Sequence, residues 1–309
     1  MKQFVISHVK DVDGVSPLIL MNLTGQKYEY QLLDVHEVET FMKEFLTRDL
    51  SSYEHIYIVD LTVPKSIYEI IESSDYKNKF LIFDHHATHL FATNYSYVTI
   101  HTEECGTTLF YTYLLTQGLK NTQALTEYVT SVKHLDLWTF LEHQDLLAPQ
   151  LGMLFERYGE KRYVEEMTKR LTEKKDHFCF NSFETELLKL EEETQKCYID
   201  KRELRMKKAK VCGYQAGIVF AEKYRSELGN TLLLRHSEID FVMIINMNGG
   251  IGLRSREVDV SKIAEQYGGG GHPHAAGIGI PSEQITGFLM TLWKGEIVFE
   301  DNETSSRTN

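Results

Sequence analysis

Gln3-Phe4-Val5-Ile6-Ser7 runs directly into His8-Val9-Lys10-Asp11-Val12-Asp13-Gly14. The first five residues read as a short apolar strand. A loop carrying one imidazole and two carboxylates follows, and Val15–Leu23 beyond it has helical spacing. Strand, polar loop, helix is the opening of a βαβ unit. In an open α/β sheet, residues just past the carboxyl ends of the strands face one crevice. The pattern recurs: His55-Ile56-Tyr57-Ile58-Val59-Asp60 ends on a carboxylate, and Phe80-Leu81-Ile82-Phe83 runs into Asp84-His85-His86. These three polar strand ends are expected to converge although they lie far apart in the chain.

Outward from these segments, strands are expected at Gln3–Ser7, Tyr28–Leu33, His55–Asp60, Lys79–Phe83 and Tyr95–Ile100. Helices are expected at Val15–Leu23, Val38–Leu46 and Pro64–Ser73. Strands alternating with helices imply a parallel sheet with right-handed crossovers. Residues 104–175 read as mostly helical, an extension of that domain. A segment dense in Glu, Lys and Arg without Gly or Pro then reads as a linker helix, with the basic end Arg202, Arg205, Lys207, Lys208 and Lys210 taken as a solvated face. Beyond it, Ala216–Ala221, Thr231–Leu234, Phe241–Asn246 and Gly250–Arg254 read as strands and Val260–Tyr267 as a helix. The expected fold class is α/β: a parallel-sheet domain with helical extension over 1–180, a linker helix over 181–209, a smaller α/β domain over 210–296 and a disordered polar tail over 297–309.

Bulk properties narrow the function. A chain of 309 residues exceeds a usual single core, which favours two domains. With 42% hydrophobic and 25% charged residues it has an ordinary globular composition. No apolar run is long enough to span a bilayer, and the start, Met1-Lys2-Gln3-Phe4-Val5-Ile6, lacks a signal-peptide core, so a cytoplasmic, membrane-free protein is expected. Cys105, Cys179, Cys197 and Cys212 show no C-x-x-C spacing and read as reduced thiols. A net charge of −12 disfavours broad binding to long duplexes and favours short or mononucleotide-sized substrates, with phosphate held locally by metal ions and a few arginines.

Aspartate and neutral histidine suit Mn(II), with Mg(II), Co(II) or Zn(II) as less specific occupants. Asp11 and Asp13, two positions apart on a loop, can reach ions on either side. Asp60 can bridge them, and His8 and His85 can complete the two sides. Two ions roughly 3.5–4 Å apart activate a water, orient a phosphate and neutralise a leaving oxygen. Taken singly, a D-x-D-G is a common turn, a strand-end Asp is often a helix cap, and a His-His pair is often structural. Their joint placement at three strand ends is what points to chemistry. Asp136, in Ser131-Val132-Lys133-His134-Leu135-Asp136-Leu137-Trp138, is a fourth acidic candidate, with His134 a weaker one. His36, His89, His143, His177 and His236 join no constellation and read as structural or surface residues. Downstream, Gly268-Gly269-Gly270-Gly271-His272-Pro273-His274-Ala275-Ala276-Gly277 demands a bare, closely approaching backbone. Such backbone N–H groups can cradle a phosphate, His272 offers another donor, and Arg254 and Arg256 are candidate phosphate forks.

With these residues in view, the chain resembles the DHH phosphoesterase superfamily, in the branch carrying the DHH-associated C-terminal domain. Asp84-His85-His86 is the naming triplet, and Arg254-Ser255 with Gly268–Gly277 matches the second-domain signature. The likeness extends to about residue 295 and implies a two-domain, Mn-dependent phosphohydrolase with its active site in the interdomain cleft. It implies that His8, Asp11 and Asp60 hold one ion, and that Asp13, Asp60, His85 and Asp136 hold the other. Asp84 would orient a ligand and His86 would lie near the substrate phosphate. Arg254, Ser255, Gly269, Gly270, Gly271 and His272 would bind substrate. One departure stands out: only Val9 and Lys10 separate His8 from Asp11, where many oligonucleotide-cleaving members have three residues. The second-domain signature argues against the inorganic pyrophosphatase branch. The lack of sensory or membrane segments argues against membrane-bound cyclic-dinucleotide phosphodiesterases, and the lack of an oligonucleotide-binding barrel against a processive RecJ-type exonuclease. The stand-alone oligoribonuclease, or nanoRNase, type remains. Its implied substrates are short RNA or DNA oligonucleotides or linear dinucleotides, with 3′-phosphoadenosine 5′-phosphate or a cyclic dinucleotide as alternatives, a non-catalytic nucleotide-binding module as a remote one, and a homodimer as a possible assembly.

Overall fold

The structure, a computed structural model, describes residues 2–247 and 249–281 together with Gln284 and Gly287. The expected tail over 297–309 lies outside these residues. The chain forms two compact units, Met1–Leu188 and Lys189–Asn309.

In the first unit the chain runs β1 (Lys2–His8), α1 (Val12–Thr24), β2 (Tyr28–Leu33), α2 (Val38–Phe45), β3 (Tyr53–Val59), α3 (Lys65–Ser73), β4 (Phe80–Asp84) and β5 (Val98–Ile100). Helices α4 (Gly106–Thr116), α5 (Gln123–Asp136) and α6 (Leu147–Glu173) follow. The five strands pair in parallel in the order β2-β1-β3-β4-β5. Central strands of a parallel sheet are covered on both faces, so their apolar residues sort by alternation. Val5, Tyr57, Val59 and Phe83 pack with α1, α4, α5 and α6. Phe4, Ile6, Ile56, Ile58 and Ile82 pack on the other face with α2 and α3. The expected parallel sheet and helical extension are both present. β1, β3 and β4 deliver His8, Asp60 and Asp84 at their carboxyl ends.

The division between the units falls inside α7 (Ser182–Glu203). After it come β6 (Lys207–Val211), β7 (Tyr214–Phe220), α8 (Arg225–Arg235), β8 (Phe241–Ile245), β9 (Gly250–Ser255), α9 (Val260–Gln266), β10 (Gly270–His272) and β11 (Ala275–Gly279). They build a six-stranded mixed sheet in the order β10-β11-β9-β8-β7-β6. Two expectations change here. Lys207, Lys208 and Lys210 lie on edge strand β6 rather than on the linker helix, where lysines discourage unwanted strand pairing. Thr231–Leu234 belongs to helix α8, not a strand: Leu228, Leu232 and Leu233 form its buried face, and a four-residue apolar run does not reveal its period. Within the glycine run, Gly270–His272 is a strand paired with Ala275–Gly277. Among the described residues, no helix is long and apolar enough to cross a membrane.

Candidate metal centre

β1 ends at His8 and α1 begins at Val12, with Asp11 as its N-cap. Asp11 Oδ1 accepts the Gly14 N–H at 2.8 Å, while Asp11 Oδ2 lies 3.1 Å from His8 Nδ1. The two-residue gap between His8 and Asp11 therefore still brings the pair together. Gly14 is required by space, since a Cβ there would sit 2.4 Å from the His8 carbonyl oxygen.

Asp13 stands in the first turn of α1, 1% exposed, and the start of α4 closes on it. The Gly106 N–H donates to Oδ2 at 2.7 Å and the Thr107 N–H to Oδ1 at 2.8 Å. Thr107 Oγ1 donates to the Asp13 backbone carbonyl at 2.8 Å. That carbonyl is available because Pro17, four residues on in α1, has no N–H to give it. Gly106 also faces Asp60, and a Cβ would lie 2.7 Å from Asp60 Cβ and 3.1 Å from Asp13 Oδ2. Asp60 follows β3 with φ 54°, a left-handed conformation that aspartate tolerates better than most residues. Its backbone N–H donates to Phe83 O at 2.9 Å.

The two Asp60 oxygens point to opposite partners. Oδ2 lies 3.7 Å from His8 Nδ1, and Oδ1 lies 3.3 Å from His85 Nε2. Asp136, the last residue of α5, brings Oδ2 to 3.4 Å from that same His85 nitrogen. The ligand atoms of His8, Asp11 and Asp60 all lie within 4.8 Å of one another, as do those of Asp13, His85 and Asp136. Asp60 and His85 also group with Asp84 and His86.

The electrostatics are those of a site that wants cations. Burial and the Asp60 charge push Asp13 up to about 7. Burial and Asp13 drive Asp136 well above the usual carboxylate range. Burial alone would lower the imidazoles, but Asp11 and Asp60 push His8 up to about 10, and Asp60, Asp136 and Asp13 do the same for His85. Protons thus neutralise a charge excess that divalent ions would otherwise neutralise. Asp136 Oδ2 is buried without a hydrogen-bond partner, as expected of an atom kept for a ligand. The clustered donors are all oxygen or imidazole nitrogen, a set suited to Mn(II) or Mg(II).

Asp84, at the end of β4, is fully buried. Its Oδ1 accepts the His85 N–H at 2.8 Å and faces His86 Nδ1 at 2.7 Å. Its Oδ2 faces His89 Nδ1 at 2.5 Å. His89, read from sequence as a structural or surface residue, is thus a buried partner of Asp84. Gly106 and Thr107 also belong to the site without a signal of their own. Their only trace in sequence is Cys105-Gly106-Thr107-Thr108 ahead of an apolar run, an ordinary helix start.

In the second unit, Arg254 lies on β9 and donates to Ser226 Oγ and to Leu253 O, each at 2.9 Å. Arg254, Arg225, Gly250, Gly252 and Gly277 line a cavity of about 390 Å³. Ser255 is buried, with its hydroxyl donating to Val258 O, so it serves its own turn. Two of the glycines answer to the β10–β11 pair itself. A Cβ on Gly269 would lie 2.1 Å from Gly277 O, and one on Gly271 2.6 Å from Ala275 O. A Cβ on Gly270 would meet nothing within 4 Å, and His272 is exposed.

A DHHA1 domain profile matches residues 221–294. Over 305 residues the chain is 31% identical to oligoribonuclease NrnB of Bacillus subtilis, covering 94% of this chain and 76% of that protein. Among solved structures, a pGpG-specific phosphodiesterase, PggH from Vibrio cholerae, aligns with TM-score 0.56 at 13% identity, over 96% of this chain and 99% of that one. RecJ in complex with Mn2+ from Thermus thermophilus aligns with TM-score 0.50 at 14% identity, over 97% of this chain and 52% of that one.

Proposed function

The chain belongs to the DHH phosphoesterases that carry a DHHA1 domain, and from that premise we propose that it hydrolyses short oligonucleotides or linear dinucleotides to nucleoside monophosphates with two Mn(II) ions. The observation that carries this reading is the pair of ligand groups meeting at Asp60, whose two oxygens face His8 and His85. The 31% identical relative is named an oligoribonuclease, which supports the short-oligonucleotide class.

His8, Asp11 and Asp60 would hold one ion, and Asp13, Asp60, His85 and Asp136 the other. When bound, such ions would supply Lewis acidity that makes hydroxide available from water at neutral pH and offsets charge on the phosphate and the leaving oxygen. The protein's task is to keep the carboxylates in place. The backbone N–H groups of Gly106 and Thr107 hold Asp13, and the left-handed backbone at Asp60 turns its carboxylate between the two histidines. His86, aligned by Asp84, is the side chain proposed to donate to the phosphate, and Arg254 and His272 are proposed as anion donors in the second unit.

Product analysis on four substrates tests the reading: a diribonucleotide, a five-residue RNA, a long single strand and 3′-phosphoadenosine 5′-phosphate, each with Mn(II)-loaded protein. The expected result is loss of the first two with the long strand spared. Turnover of 3′-phosphoadenosine 5′-phosphate alone would overturn it in favour of a phosphatase. Asp60→Asn and His85→Ala should retain the fold and lose at least about a hundredfold in turnover.

A further inference from the structure

Asp84 has two oxygens and uses both. Oδ1 carries His86, whose side chain is one-third exposed. Oδ2 carries His89, which is fully buried in the turn Ala87–Ala92, with Thr62 Oγ1 as a weaker donor at 3.3 Å. The other His89 nitrogen, Nε2, lies 2.6 Å from the Tyr68 hydroxyl and 3.3 Å from the Val63 N–H. A backbone N–H can only donate, so Nε2 is the acceptor and the proton sits on Nδ1, directed at Asp84. The Tyr68 O–H then donates to Nε2 as well. The chain of bonds has one direction, from Tyr68 through His89 to Asp84, and Asp84 fixes the ring of His86 through Nδ1.

We propose that His89, backed by Tyr68, is a positioning residue for the hydrolysis: it locks the Asp84 carboxylate, and Asp84 thereby sets the ring orientation of His86. This rests on the phosphodiesterase reading above. Packing alone does not account for His89. Its ring does lie among Tyr68 and Phe91, but an apolar side chain would fill that space as well. Such a side chain would leave Oδ2 of a fully buried carboxylate with only the distant Thr62 hydroxyl. Asp84 could then rotate and carry His86 with it.

The test compares His89→Leu, His89→Asn and Tyr68→Phe with wild type. His89→Leu removes the donor. His89→Asn places an amide N–H where Nδ1 stood. Tyr68→Phe removes a single hydroxyl. Each is assayed for kcat and KM on a linear dinucleotide, for Mn(II) affinity by calorimetry, and for histidine ring tautomers by ¹⁵N-edited spectra of the metal-free protein. In His89→Leu the expected results are a kcat drop of about 10- to 100-fold, unchanged KM and Mn(II) affinity, and loss of the ordered His86 Nδ1–H signal. His89→Asn should recover most of the rate, and Tyr68→Phe should fall between. Unchanged kcat and unchanged His86 signal in folded His89→Leu would overturn the proposal, as would equal losses in the Leu and Asn variants. If wild type cleaves no member of the substrate panel, the phosphodiesterase reading fails on its own, and the spectra still decide whether His89 holds His86.

Discussion

Gly106 shows how little room separates the carboxylates. Its missing Cβ would press on Asp60 Cβ at 2.7 Å, a backbone-anchored atom that cannot swing aside. Gly106→Ala should therefore move either Asp60 or the start of α4, and with the latter the N–H bonds on Asp13. We expect Mn(II) affinity to fall about 10- to 100-fold while the circular dichroism spectrum is unchanged, and calorimetric titration is the check. An affinity equal to wild type would show that the site tolerates the shift. The ligand-type residues were legible in sequence because chemistry concentrates at strand ends: His8, Asp60 and Asp84 each terminate or follow an apolar strand. Gly106, Thr107 and His89 were not legible. Their roles arise from contacts made after folding, and glycine, threonine and histidine are each ordinary residues where they stand.

At the level of elements, the sheet of the first unit could be read because alternating burial and helix-forming stretches agree along the chain. The second unit was harder. Helix α8 carries a run, Thr231-Leu232-Leu233-Leu234, that fits a strand equally well, and packing decided the matter. The glycines were read for a ligand, yet Gly269 and Gly271 are also demanded by strand β11. An element-scale prediction concerns α6 and the first turn of α7. Glu184, fully buried, accepts from Arg170 Nη2 at 2.7 and 2.5 Å and from the Tyr158 hydroxyl at 3.1 Å. The Arg170 guanidinium lies 5.3 Å from the Phe178 ring and 5.5 Å from that of Phe180, tying down the segment between the helices. Glu184→Ala strands a buried guanidinium and should cost about 3–5 kcal/mol in urea unfolding. A loss below about 1 kcal/mol would mean that the pair behaves like a solvated one.

For the whole molecule, protonation of the acidic cluster couples pH to stability. Asp13, His8 and His85 all titrate higher in the folded chain than their ordinary values, so the folded state holds more protons than the unfolded one between about pH 4 and 10. Stability of the metal-free protein should then fall as pH rises through that window. Asp60 and Asp84 are held low by their histidine partners, burial notwithstanding, and their contribution is lost only as pH falls below the ordinary carboxylate range. Mn(II) held by this cluster would displace the extra protons, so the stabilisation it confers should grow with pH. Scanning calorimetry at about pH 6 and pH 8 checks this, and an equal or larger Tm gain at the lower pH would contradict it. The latch on Asp13 is long in sequence, and Pro17 makes room for it. By withholding an N–H, it leaves the Asp13 carbonyl waiting for Thr107, 94 residues later in synthesis. A nascent chain that has emitted only its first acidic loop holds that aspartate unlatched. The finished latch on Asp13 belongs to a chain long enough to have returned to its own beginning.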